Sequence, residues 1–173
     1  YLYRGKEAER MRDERVKQLA LSGLLASLVL LATWLTKLPV PLMTNGYVHL
    51  GDGVIFLSAM LMGNYAALIA GVGSALADLV GGYAIYVVPT FIIKAAMGLL
   101  VAKIAVSGKH LKNLFAFTVA ECVMVAGYCL FDTLVFGGGT AVGYVPFNVL
   151  QGAAGVVLGM AFSWYLPHLR KKI

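Results

Sequence analysis

A segment from residue 45 to residue 94 decides the fold, because it is strongly apolar and yet carries the charged side chains Asp52, Asp78 and Lys94. It reads N-G-Y-V-H-L-G-D-G-V-I-F-L from residue 45, G-V-G-S-A-L-A-D-L-V-G-G-Y from residue 71, and A-I-Y-V-V-P-T-F-I-I-K from residue 84. Charged groups in such surroundings are costly unless they face a cavity or one another. The segment therefore predicts membrane-embedded helices that carry a polar site.

The composition of the whole chain supports this interpretation. The 173 residues are 60% hydrophobic and 13% charged, with a mean hydropathy of +0.83. A soluble domain is typically about 45–50% apolar and about 25% charged, so we predict an all-α integral membrane protein with one membrane domain. The net charge is +6, but the basic residues lie in short clusters between apolar segments. That pattern is typical of cytoplasmic flanks and predicts no nucleic-acid partner.

Six apolar segments predict six transmembrane helices. We expect a span of about 20 residues and place the helices at 19–36, 51–62, 66–82, 89–106, 114–136 and 144–166. The second segment is short, and Gly63-Asn64-Tyr65 predicts a tight turn after it. Residues 1–15 are interpreted as an N-terminal cytoplasmic extension, with Met11 as an alternative start, and residues 16–173 as the membrane domain.

The distribution of positive charge predicts the topology. Of the 14 Lys and Arg residues, six precede the first segment, three lie between residues 103 and 112, and three lie at the end of the chain. Cytoplasmic loops carry an excess of Lys and Arg, so both termini and the loop at 107–113 are predicted to be cytoplasmic. The loops at 37–50, 83–88 and 137–143 then face outward.

The first of these loops, at 37–50, has two prolines and Asn45-Gly46, which should stop helix and sheet alike. It is apolar and carries Tyr47 and His49, which favours a lid over a site.

The polar residues of the apolar segments share one depth in this topology. At about 1.5 Å per helical residue, they lie within roughly 10 Å of the outer surface. They are Asp52, Asp78, Lys94, Asp132, Asn148 and Gln151. We interpret them as a pocket that is open to the outside and roofed by the 37–50 loop, with tyrosine walls that suit a small, flat, polar ligand.

Structural alternatives for the same residues remain open. Asp52 is also a candidate helix cap. Asp78 and Lys94 are a candidate structural ion pair. In the structural alternative, Asn148 and Gln151 form hydrogen bonds to neighbouring helices. Glu121 lies deeper and is expected to make an interhelical hydrogen bond.

Common catalytic motifs are absent from the sequence. It contains no G-x-x-x-x-G-K-[ST] for ATP hydrolysis, no H-E-x-x-H and no G-x-S-x-G. We therefore predict that the chain is not an enzyme and holds no metal or cofactor.

Three runs carry a resemblance to a known family: G-Y-V-H-L-G-D-G-V-I-F-L at 46–57, G-S-A-L-A-D-L at 73–79 and P-T-F-I-I-K at 89–94. The chain resembles, over residues 16–166, the substrate-binding S component of energy-coupling factor (ECF) vitamin transporters, in particular the hydroxymethylpyrimidine-type carriers grouped with riboflavin-type S components. The resemblance implies a membrane coupling subunit (T component) and two cytoplasmic ATPases as partners, which use the ATP and Mg²⁺. It also implies the plasma membrane of a prokaryote.

The resemblance implies two sets of functional residues. The family docks its first helix on the coupling subunit through a pair of alanines four apart. Small residues stand at this place in the chain: Ser22, Gly23, Ala26 and Ser27. Family substrate sites map onto Asn45, His49, Tyr83, Tyr86, Lys94, Asp132, Asn148 and Gln151.

The sequence leaves more than one function and ligand open. A substrate-binding subunit is the leading hypothesis, and an intramembrane enzyme using Asp78 and Asp132 or a stand-alone carrier are the alternatives. Hydroxymethylpyrimidine and pyridoxine are the favoured ligands. Riboflavin and pantothenate remain candidates, and the anion pantothenate would make Lys94 a direct partner.

Overall fold

The computed structural model describes residues 2–39 and 47–170, with side chains over 9–39 and 47–166. Its helices are α1 (Leu2–Leu35), α2 (Gly51–Met62), α3 (Ala66–Gly81), α4 (Val87–Ile104), α5 (His110–Phe136) and α6 (Gly138–Arg170). Short 3₁₀ turns cover Gly63–Tyr65 and Ala84–Tyr86. The predicted all-α class is thus confirmed for the described residues.

Five helical stretches of the described residues are long and apolar enough to cross a membrane: Glu9–Leu35, Gly51–Gly81, Ala84–Ile104, His110–Phe136 and Gly138–Leu166. The second stretch contains both α2 and α3. Alone, α2 is about 18 Å long at 1.5 Å per residue, well short of a hydrocarbon core of about 30 Å. Six spans with both termini in the cytoplasm therefore remain a prediction.

The helices α2 and α3 nevertheless run in opposite directions. Gly63 has a φ of 56°, a left-handed conformation that ends α2 and that glycine adopts without strain. Tyr47, just before α2, donates a hydrogen bond to Asp78 near the end of α3. The start of α2 and the end of α3 consequently lie at the same end of the bundle, as the predicted turn requires.

Several boundaries differ from those predicted. The chain is already helical from Leu2, so the charged N-terminal residues continue α1. Gly137 alone separates α5 from α6, where a loop over 137–143 was predicted; that prediction was wrong. The expectation of no sheet was also wrong, because β1 (Leu38–Pro39) and β2 (Tyr47–Val48) form an antiparallel pair. Each strand has only two residues, so the pair needs few backbone hydrogen bonds between the strands. The missing N–H of Pro39 is therefore tolerated, because Pro39 lies on an edge strand.

Glycines and aromatic residues fix how closely the helices pack. A Cβ on Gly73 of α3 would lie 2.5 Å from the Ala26 carbonyl oxygen of α1, and one on Gly98 of α4 would lie 2.5 Å from the Ala66 carbonyl oxygen of α3. Small residues at such positions let helix backbones approach in a membrane. At the centre of the core the rings of Phe56 and Phe117 stack at 4.7 Å. This core lies below the end of the bundle where the polar residues gather.

Candidate functional site

A polar and aromatic pocket lies between the helices at one end of the bundle. Its empty volume is about 480 Å³ including the space open to solvent, within the range of about 300–1,000 Å³ typical of ligand pockets. The lining residues come from α1, α3, α4, α5 and α6, from the hairpin and from the connectors: Thr33, Tyr47, His49, Ser74, Asp78, Tyr86, Thr90, Tyr128, Asp132, Asn148 and Gln151. Of the six polar residues predicted to share one depth, four line this pocket: Asp78, Asp132, Asn148 and Gln151.

A buried ion pair forms the floor beneath this lining. Lys94 Nζ donates to Asp52 Oδ1 at 2.5 Å, and both side chains are 0% exposed. Gln151 Nε2 donates to the other carboxylate oxygen of Asp52 at 2.8 Å. Both ends of the Asp52 carboxylate are therefore held, which offsets the cost of burying its charge.

This pairing corrects two of the sequence-based alternatives. Lys94 pairs with Asp52 and not with Asp78, although Asp78 has a similar depth. Asp52 makes no side-chain hydrogen bond to the start of its helix, so it is not a helix cap. Sequence spacing gave the depths of these residues but not the direction in which each helix faces.

The hairpin residues close the pocket from above. Tyr47 Oη donates to Asp78 Oδ1 at 2.6 Å. The backbone N–H of His49 donates to Gln151 Oε1 at 3.3 Å. Lys37 Nζ lies 4.9 Å from the Tyr47 ring centre and 4.2 Å from that of Tyr83, within the range of cation–π attraction. These contacts attach the β2 end of the hairpin to α3 and α6. Lys37, just before β1, also donates to the Gly81 carbonyl oxygen of α3 at 3.3 Å.

The ionisation states of the Tyr47 and His49 side chains follow from their burial. Burial and the neighbouring Asp78 carboxylate raise the pKa of the Tyr47 phenol, so it stays protonated and is the donor to Asp78. Burial lowers the pKa of His49 to about 4, which leaves its ring neutral at pH 7. Since His49 Nδ1 accepts from the Gly51 N–H at 3.0 Å, the ring proton is on Nε2.

Five of the eight residues that the resemblance assigned to the site line the pocket. They are His49, Tyr86, Asp132, Asn148 and Gln151. Tyr83 packs against Tyr47 with ring centres 4.8 Å apart and tilted planes, and it lies outside the lining, as does Lys94. Asn45 lies outside the described residues. Binding of a substrate by any of these residues remains a prediction.

Asp78 also lines the pocket, as its predicted depth requires, and Tyr47 of the predicted lid and the wall residue Tyr128 lie beside it. The three hydroxyl residues of the lining, Thr33, Ser74 and Thr90, were not predicted from the sequence. A hydroxyl in an apolar helix is a weak signal, because it usually bonds its own backbone. Tyr86 Oη donates to Asp132 Oδ1 at 2.7 Å, which joins two of the predicted residues directly.

Glu121 differs from its prediction. It is 5% exposed, and neither carboxylate oxygen has a hydrogen-bond partner among the described residues. The expected interhelical hydrogen bond is therefore wrong for this part of the chain. The carboxyl group lies against Gly152 and Gly155 of α6, on the side of α6 that also meets Asp52.

The small residues of α1 divide between two faces. Ser22 and Ala26 are half-buried, and the Ala26 carbonyl oxygen lies against Gly73 of α3. Gly23 and Ser27 are exposed, and a Cβ on Gly23 would meet nothing within 4 Å. The exposed pair is thus the one that leaves room for a second helix.

Comparison with known proteins identifies the family. The family model described as "ECF-type riboflavin transporter, S component" matches residues 14–167. The chain belongs to this S-component family. It is therefore a component of a vitamin or precursor transporter rather than an enzyme, and a multi-pass membrane protein.

Two relatives support the same assignment. The chain is 32% identical over 140 residues to the "Uncharacterized protein in gap 3'region" of Pyrococcus woesei, covering 80% of this chain and 93% of that protein. It is 28% identical over 154 residues to the "Thiamine precursor transporter HmpT" of Lactococcus lactis subsp. cremoris (strain MG1363), covering 88% of this chain and 89% of that protein. The predicted resemblance to vitamin-transporter S components is confirmed.

Proposed function

We propose that this S component is the high-affinity substrate-binding subunit of an ATP-driven importer for a small water-soluble vitamin or vitamin precursor. The observation that supports this most directly is the pocket. It is polar and aromatic, it lies within the membrane bundle, and the hairpin ends close it through Tyr47 and His49.

The direction of import follows from charge. The pocket lies at the end of the bundle opposite the 105–109 connector, which contains Lys109 and is flanked by Lys103 and Lys112. The positive-inside rule puts that connector in the cytoplasm, so the pocket faces the outside of the plasma membrane of a prokaryotic cell. Substrate enters from outside and the hairpin closes over it.

Energy comes from partner subunits in this proposal. The sequence has no phosphate-binding loop motif, and S components work with a coupling subunit and two ATPases. We assign the coupling-subunit contact to the exposed pair Gly23 and Ser27, because small residues four apart allow close helix approach.

The favoured substrates are hydroxymethylpyrimidine and pyridoxine. Both are small, flat and polar, as the tyrosine-walled pocket requires, and the relative HmpT is named a thiamine precursor transporter. Riboflavin, after which the family is named, is a further candidate. Pantothenate is disfavoured, because the Lys94 ammonium that it would need is already bound by Asp52.

Native mass spectrometry of the purified protein tests the proposal. We expect a small molecule to be retained and one of these vitamins to bind when added to ligand-free protein. Uptake of that vitamin by cells should require both this chain and the coupling and ATPase subunits. Folded protein that retains and binds no vitamin would contradict the proposed function, and chemical conversion of a bound compound would favour the enzyme alternative.

A further inference from the structure

A second cavity lies at the end of the bundle opposite the pocket. Its empty volume is about 580 Å³ including the space open to solvent, which is within the range typical of ligand sites. It is formed by α2, α4, α5 and α6, together with the turn at Gly63 and the 105–109 connector. No residue of the pocket lines it, so the second cavity is a separate candidate site.

The described lining of the second cavity is apolar apart from Ser107, Asn113 and Ser163. Two of these side chains bond each other, since Asn113 Nδ2 donates to Ser163 Oγ at 2.7 Å. Asn113 Oδ1 accepts from the Val106 backbone N–H, also at 2.7 Å. No buried atom of this described lining is without a hydrogen-bond partner. The lining therefore favours an apolar occupant over a polar solute, which would lose its own hydrogen bonds to water on entering.

The rim of the second cavity is basic. Lys103, Lys109 and Lys112 each stand within two residues of a lining residue. All three are exposed, and within the described part of the chain none of them forms an ion pair. The sequence contains no Asp or Glu from residue 79 to residue 120 or after residue 132. The positive charge of α4, the connector and the start of α5 is thus not offset locally, and it attracts an anionic group.

The surface around the three lysines is apolar and exposed. Leu111 is 85% exposed, and Phe115 and Trp164 are each 61% exposed. Lysines interleaved with aromatic and aliphatic side chains are typical of the boundary between the hydrocarbon core and the headgroups of a membrane. Basic pockets between membrane helices on the cytoplasmic side bind anionic headgroups. A lipid can therefore reach this end of α5 directly from the bilayer.

The order of the helices separates this region from the proposed coupling contact. The helices pack one on the next in the order α1, α3, α4, α5, α6, α2, and α2 packs on α1 to close the ring. In this ring α5 lies three positions from α1 in either direction. The exposed pair Gly23 and Ser27 lies on α1, and no α1 residue is in the described lining of the second cavity. This arrangement favours a lipid over the coupling subunit as the occupant.

We propose that the second cavity binds an anionic phospholipid, with one acyl chain inside the cavity and the phosphate group against Lys103, Lys109 and Lys112. An apolar lining and a basic rim together require an occupant that is both apolar and anionic. A phospholipid with a net negative charge combines the two and is supplied by the bilayer. A free phosphate ion would satisfy the lysines but leave the apolar cavity without packing contacts.

Native mass spectrometry of the purified full-length protein, titrated with lipid, tests the inference. The probes are phosphatidylglycerol, phosphatidylcholine with the same acyl chains, and glycerol phosphate, which has the anion without the chains. Each lysine near a headgroup contributes about fivefold in affinity. We therefore expect the wild type to bind phosphatidylglycerol about 10- to 100-fold more tightly than phosphatidylcholine, and to bind glycerol phosphate much more weakly than either lipid.

Two variants with the same change in net charge distinguish a local site from general attraction to a basic surface. Lys103→Gln/Lys109→Gln/Lys112→Gln should abolish the preference for phosphatidylglycerol. Arg12→Gln/Arg15→Gln/Lys17→Gln removes three positive charges from exposed positions of α1 and should keep it. A third variant, Ala105→Phe, fills the cavity without changing the charge and should weaken binding of phosphatidylglycerol. Circular dichroism checks that each variant is folded.

Contrary outcomes would each remove a different part of the inference. Equal affinity of the wild type for the two lipids overturns it, as does an equal loss of preference in the α1 variant. Binding of glycerol phosphate as tight as that of phosphatidylglycerol would show an anion site without an acyl chain. Unchanged lipid binding in folded Ala105→Phe overturns the role of the cavity. If the triple lysine variant loses assembly with the coupling subunit but keeps the lipid preference, the basic rim belongs to that partner and the inference is wrong.

Discussion

Replacing Lys94 by methionine removes the cation of the buried ion pair and leaves the Asp52 carboxylate with Gln151 as its polar partner. Both charged side chains are 0% exposed, so solvent does not screen the loss. Removing one member of a buried pair costs about 3–5 kcal/mol, because the remaining charge is uncompensated.

The expected loss is large enough to measure as a melting temperature. One kcal/mol corresponds to about 2–4 °C for a chain of 150–250 residues, so Lys94→Met should lower the melting temperature in detergent by about 6 to 20 °C. The double variant Asp52→Asn/Lys94→Met removes both charges and should be more stable than Lys94→Met alone. Lys37→Met is the control, because a half-buried rim cation contributes about 0–1 kcal/mol.

The same variant separates a structural from a ligand-binding role for Lys94. Because Lys94 lies outside the pocket lining, Lys94→Met should bind the vitamin at a temperature well below its own melting point. A melting temperature within about 2 °C of the wild type would refute the ion-pair argument. A double variant that is no more stable than Lys94→Met would refute it as well. Loss of vitamin binding in the folded Lys94→Met variant would return Lys94 to the substrate site.

Three further predictions concern the lid and the partner. Tyr47→Phe removes the donor to Asp78 and should speed ligand dissociation at least about tenfold in stopped-flow measurements, since hydrogen bonds to charged groups contribute about 1.5–3 kcal/mol. His49 has a folded pKa of about 4, below its unfolded value of 6.5, so its contribution to stability is complete above pH 6.5 and is lost as the pH falls towards 4. His49→Asn should remove that part of the pH dependence of the melting temperature. Gly23→Trp should abolish ATP-driven uptake and leave ligand binding intact, whereas Leu21→Trp, on the other side of α1, should leave uptake intact.

Each of these predictions has a contrary outcome. An unchanged dissociation rate in Tyr47→Phe would mean that the bond to Asp78 does not hold the lid closed. The same pH dependence in wild type and His49→Asn would assign it to other groups, such as the pocket carboxylates. Normal uptake by Gly23→Trp would move the coupling contact away from the exposed face of α1.

The sequence by itself determined the class of the protein, its helical segments and the depth at which its polar residues lie. Hydrophobic segments of membrane length are readable directly, and depth follows from the rise per residue once the ends of a helix are known. This is why His49, Asp132, Asn148 and Gln151 were correctly expected at one end of the bundle. The family resemblance came from three runs between residues 46 and 94, the first of which contains His49.

Only the tertiary structure decided which polar groups meet. Asp52 and Asp78 have similar depths, yet Lys94 pairs with Asp52 and Tyr47 with Asp78. Those choices depend on the rotation of each helix about its axis and on its neighbours, which close packing at glycines such as Gly73 fixes. The same packing leaves Ser74 Oγ in the pocket lining without a hydrogen-bond partner among the described residues, a property that follows from the cavity and not from the residue's place in the chain.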